Sequence, residues 1–122
     1  MKMTAILAAG GVLLSANSAW AQDVCMRPVE PAKVDGKTAT MDQVLAVKAL
    51  VMAFMSSSDT YQACVFDGLQ AQQAAAKKNG ATVEPAVVSD AQADINNNQA
   101  AKERVGKWFN QAVRDYKAAH PS

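Results

Sequence analysis

Two cysteines, Cys25 and Cys64, do more than any other feature to limit what this chain can fold into. Whether they pair depends on the compartment, and the first residues address that. Lys2 supplies a positive charge, Ala5 to Ala16 reads AILAAGGVLLSA, and polar Asn17 and Ser18 precede Ala19-Trp20-Ala21. A basic start, an apolar stretch and a small-x-small site make a secretory signal peptide. Ala19 and Ala21 fit the small pockets of a signal peptidase, so residues 1–21 are expected to be removed before Gln22. The apolar stretch runs roughly 12 residues, against the about 20 a spanning helix needs, so no stable membrane insertion is expected after cleavage. The expected location is the periplasm or the extracellular space, where a disulfide is the default state of a cysteine pair.

Residues 22–39 contain Pro28, Pro31 and Gly36. Prolines three apart exclude a helix interior and favour an extended, polyproline-like arm. Thr40 with Gln43 then forms a capping box, with Ala39 and Val44 as a weak staple across it. Beyond it, Val44, Val47, Val51, Phe54, Ser58, Tyr61, Val65 and Ala75 follow helical spacing. Leu45, Leu50, Met52, Met55, Cys64, Phe66 and Leu69 widen the stripe. Ser56 to Asp59 is a soft point, but the apolar phase carries through it, which predicts one helix over about 41–78. Asn79-Gly80 is its stop.

Glu84-Pro85 bars helix immediately before the proline, and Ser89 with Gln92 reads as a second capping box opening a helix over about 90–119. Its apolar face holds Ile95, Ala101, Val105, Trp108, Phe109, Ala112, Val113 and Tyr116. Asn96, Asn97 and Asn98 are expected to weaken its first third, because asparagine side chains compete for backbone hydrogen bonds. A short connection makes the helices antiparallel neighbours. The expected fold is all-α: an antiparallel hairpin of two long helices over residues 40–122, with the arm clipped to the first helix.

The clip is sterically feasible. Cys64 lies about 36 Å along the first helix from Thr40 at 1.5 Å per residue, and the extended arm reaches up to about 50 Å. Met26, Pro28, Val29 and Pro31 are then expected to cover apolar helix surface. Closing a loop of about 40 residues contributes roughly 3–4 kcal/mol by the chain-entropy estimate. An intermolecular bridge or a reactive thiol pair is the alternative, though no C-x-x-C is present.

Nothing in the chain assembles into a catalytic set. His120, the one histidine, sits at the C-terminus beside Pro121, and no Ser/His/Asp or Cys/His arrangement is possible without it. Glu103 and Asp115 read as solvated helix carboxylates. No haem-attachment motif and no phosphate loop occur, so neither enzyme activity nor a cofactor is expected. From Gln22 onward 11 basic side chains balance 11 acidic ones, which argues against nucleic acid as a partner. Met26, Met41, Met52 and Met55 raise the possibility of copper, but their spacing is equally that of core-filling methionine, so no metal site is expected.

Cys25, Pro28, Pro31, Asp35-Gly36, Ala39-Thr40-Met41, Phe54, Tyr61 and Cys64 together resemble a group of small exported Gram-negative proteins of uncharacterised function. The resemblance covers the arm and first helix and implies the same arm, cap and disulfide, with no activity attached. The functional expectation is therefore an exported, non-enzymatic accessory protein that binds a protein partner, or a second copy as a homodimer, through helix faces. Phe66 and Trp108, at the edges of their stripes, are the candidate contact residues. A small-molecule or metal-binding module with its site between the helices is the alternative.

Overall fold

A computed structural model describes residues 25–122; the expected signal peptide over 1–21 and Gln22 to Val24 lie outside the described residues. Two helices, α1 (Met41–Lys78) and α2 (Pro85–Ala119), pack as an antiparallel hairpin. A non-helical arm over 25–40 leads into α1.

α1 starts where its capping box requires. The Gln43 backbone N–H donates to Thr40 Oγ1 at 3.2 Å, and the Thr40 N–H donates back to Gln43 Oε1 at 2.9 Å. The helix runs unbroken through Ser56 to Asp59, because Ser58 sits on the buried stripe. It stops in a Schellman motif. The Ala81 N–H donates to the Ala76 carbonyl at 2.9 Å and the Gly80 N–H to that of Lys77 at 3.1 Å. Gly80 has φ 68°, the left-handed backbone that glycine adopts without strain.

α2 begins at Pro85, five residues ahead of the expected start. Proline at the first helical position lacks only an N–H that would have no partner there. The Ser89 and Gln92 capping box is not formed. Ser89 Oγ lies 3.4 Å from the Ala86 carbonyl, inside a helix already under way. Glu84, the residue that caps α2, contributes no side-chain hydrogen bond.

The interhelical core is a ladder of seven-residue steps. Val51, Phe54, Ala101 and Val105 form its centre, with Val47, Met55, Trp108 and Phe109 packed against them. Seven residues on from Val51 along α1, and seven back from Val105 along α2, stand Ser58 and Asn98. Both are buried, and Asn98 Nδ2 donates to Ser58 Oγ at 3.2 Å. Gln62 Nε2 donates to Asn98 Oδ1 at 2.8 Å. In the opposite direction the same step reaches Val44 and Ala112, also buried. The asparagine expected to weaken α2 is therefore part of the hairpin seam.

The arm is held at both ends. Cys25 and Cys64 form a disulfide with Cα atoms 5.6 Å apart. The turn at Asp35 to Thr38 seats Gly36 so closely on α2 that a Cβ there would stand 1.9 Å from the Ala112 carbonyl oxygen. Between them Cys25, Pro28, Pro31 and Val34 are partly buried and the residues between are exposed. That three-residue period is that of a polyproline II helix. The lengths agree: Cys25 to Gly36 spans about 34 Å at 3.1 Å per residue, and Cys64 back to Met41 about 35 Å at 1.5 Å per residue.

The expectation that Met26 and Val29 cover the helices is overturned. They are 84% and 88% exposed, because the period set by Cys25 turns positions 26 and 29 outward. The arm also spans both helices, since Arg27 pairs with Asp94 at 3.0 Å and Glu30 with Arg104, both on α2.

Candidate functional site

The arm covers one flank of the hairpin, where Leu50 of α1 is still 56% exposed, and the opposite flank of α1 carries a longer line of exposed apolar side chains. Met41, Leu45 and Met52 are each at least half exposed. Counting 100° per residue, they share a strip centred about 120° around the axis from Cys64, which anchors the arm. Phe66, 49% exposed, continues the strip toward the end of α1. Met55 lies at its inner edge, packed against the core, with the Cβ position of Gly106 3.7 Å from its terminal methyl. The core-filling role expected for the methionines holds for Met55, whereas Met26, Met41 and Met52 face solvent.

Of the two candidate contact residues, only Phe66 lies on this strip. Trp108 is half-buried against the core, edge-on to Phe109 with ring centroids 6.3 Å apart. By the register of the hairpin the two sit about 27 Å apart along the axis, so they do not form one patch. Met41, Leu45 and Met52 were missed as a group. Their periodicity was legible, but which flank the arm would cover was not.

Two grooves flank the arm. One, of about 550 Å³, lies beside the disulfide with Val65, Leu69, Val87 and Ala91 among its walls. Arg27 and Asp94 pair at its rim. The pKa of Arg27 is raised, by Tyr61 foremost and by Asp94 after it. The other groove, of about 440 Å³, lies between the arm turn and α2, where Trp108 is surrounded by Lys33, Lys107 and Arg114 with Asp35 and Asp115 interspersed.

His120 is exposed at the end of α2, its ring stacked on Tyr116 at 4.2 Å and its Nδ1 3.0 Å from the Tyr116 carbonyl. Asp115 accepts a hydrogen bond from Gln111 at 2.9 Å. Among the described residues no three His, Cys, Asp or Glu side chains gather as a metal cluster, and no helix is long and apolar enough to cross a membrane. No family model, curated protein or solved structure matches the chain.

Proposed function

We propose that this protein is an exported, non-enzymatic accessory protein of the bacterial envelope that binds a protein partner through the open face of α1. The observation that carries the reading is the strip of Met41, Leu45, Met52 and Phe66, apolar side chains left in solvent on the flank away from the arm. Isolated exposed apolar residues are ordinary, but a run of them along one helix face is the pattern of a helix-docking surface. The leader sequence and the disulfide support an oxidising compartment outside the cytoplasm, periplasmic or extracellular.

Cross-linking in intact cells, followed by affinity capture of the wild-type protein and a Met52→Glu variant, tests this. The expected result is a partner recovered with the wild type and lost with the variant. Recovery of the same proteins with both would remove the open face as the binding surface. A second reading has the groove beside the disulfide in its favour, since about 550 Å³ is within the range of small-molecule pockets. Native mass spectrometry of the protein purified without denaturation would then show an added mass, and a clean apo mass would sink it.

A further inference from the structure

We propose that the open face of α1 docks a second copy of this chain, the two α1 helices lying antiparallel about a twofold axis between Ala53 and Phe54. The proposal rests on the reading of that face given above and names its partner. Its basis is a second heptad seam. Met41, Leu45, Lys48, Met52, Met55, Asp59, Gln62 and Phe66 are spaced alternately four and three residues apart. That is the spacing that keeps one line of side chains facing a neighbouring helix. The seam's centre lies about a quarter turn from the intramolecular seam through Val44, Val51 and Ser58, and the two share an edge at Met55, Asp59 and Gln62, which also contact the second helix.

The pattern is self-complementary in one orientation. Antiparallel about the stated axis, Lys48 meets Asp59 of the partner subunit, Met52 meets its Met55, Met41 its Phe66 and Leu45 its Gln62. Each pair recurs by symmetry, as an isologous contact requires. In the parallel, in-register orientation each charge would meet its own kind, which is repulsive. Asp59 pairs with Lys102 within the chain but keeps 69% of its side chain exposed, leaving oxygen surface for a second cation.

The seam is about 38 Å long and about 10 Å wide, which puts roughly 400 Å² of each copy in contact. Phe109 and Val113, half-buried on the adjoining flank of α2, add to this. A total near 1,000 Å² is at the small end of specific interfaces, so the dimer is expected to be reversible, with a micromolar dissociation constant.

Sedimentation equilibrium of the oxidised protein, purified from cells expressing the full chain, tests the proposal. The expected result is a monomer–dimer equilibrium, weakened about tenfold or more by Lys48→Glu and by Asp59→Lys separately. An equimolar mixture of these two variants regains wild-type dimerisation, because each mixed dimer has two attractive pairs. Circular dichroism checks that both exposed-site variants fold. A strict monomer at every concentration overturns the proposal, and so does a dimer indifferent to both charge reversals or a mixture that shows no rescue. If the protein is monomeric and Met52→Glu still abolishes capture of another protein, the second copy is wrong and the open-face reading stands. If neither measurement responds, both fail.

Discussion

Ser58 and Asn98 set the hairpin's alignment at the scale of single side chains. Ser58 is 0% and Asn98 6% exposed, and each partners the other. A slide of either helix by one turn would strand both polar groups against apolar neighbours, and an unpaired buried group costs about 1–3 kcal/mol. Ser58→Ala is therefore expected to lower unfolding stability by about 1–3 kcal/mol. Adding Asn98→Val, which removes the other half, should recover part of that loss. A urea-denaturation double-mutant cycle reads the coupling, and simple additivity would show that the two do not act as a pair. Asn98 explains why the seam was only half legible. Its place seven residues before Val105 was visible, but an asparagine on a helix reads equally as a solvated residue or a core one until Ser58 is opposite it. Gly36 was harder still. Nothing in a lone Asp-Gly distinguishes a free turn from backbone pressed onto a helix, yet the 1.9 Å approach leaves no room for a methyl group. Gly36→Ala is expected to lift the arm turn off α2 and lower stability by about 1–3 kcal/mol, the usual cost of forced overpacking. Thermal melting measures this, and an unchanged melt would mean the turn is not seated as described.

At the scale of elements, the two helix starts contrast. Thr40 with Gln43 announced α1 correctly because both halves of the box lie immediately before an apolar run and no stronger start signal competes. Ser89 with Gln92 carried the same letters, but Pro85 four residues upstream already fixes a helical φ and tolerates the missing donor, so α2 starts there and the box goes unused. The consequence is a start without a side-chain acceptor for its free N–H groups. Glu84→Ser supplies one and is expected to raise stability by about 0.5–1 kcal/mol, while Thr40→Ala removes one and costs about 1 kcal/mol. Opposite shifts in the urea midpoint are the readout, and a Glu84→Ser midpoint below wild type would contradict the cap assignment. The arm was legible as an extended proline-bearing segment, but its facing was not. Three-residue periodicity gives three equivalent phases, and only the position of Cys25 against Cys64 selects the one that buries Pro28, Pro31 and Val34.

For the whole molecule, the question is what holds an arm of this kind on a two-helix hairpin. Its polar ties to α2 are ion pairs at exposed positions, each worth about 0–1 kcal/mol. Its apolar contacts are partial, since Pro28, Pro31 and Val34 are only half-buried. Against these stands the ordering cost of the backbone from Met26 to Gly36, about 1–2 kcal/mol per residue for ordinary residues and less at the prolines. Those contacts alone do not offset that cost, so the bridge across 39 residues must supply the difference, and its loop-closure contribution of about 3–4 kcal/mol is of the right size. The hairpin has its own core of Val51, Phe54, Ala101 and Val105 and does not depend on the arm in the same way. Breaking the bridge is then expected to release the arm before it melts the helices. Hydrogen exchange on a Cys25→Ser/Cys64→Ser variant tests this. The arm's hydrogen-bonded amides, those of Lys37, Thr38 and Ala39, should lose protection to near random-coil rates, while those around Val51 and Val105 stay protected and the melting temperature falls. Arm amides as slow as in the oxidised protein would show that the grooves, not the covalent link, hold the arm, and helices that exchange together with it would show one cooperative unit in place of two.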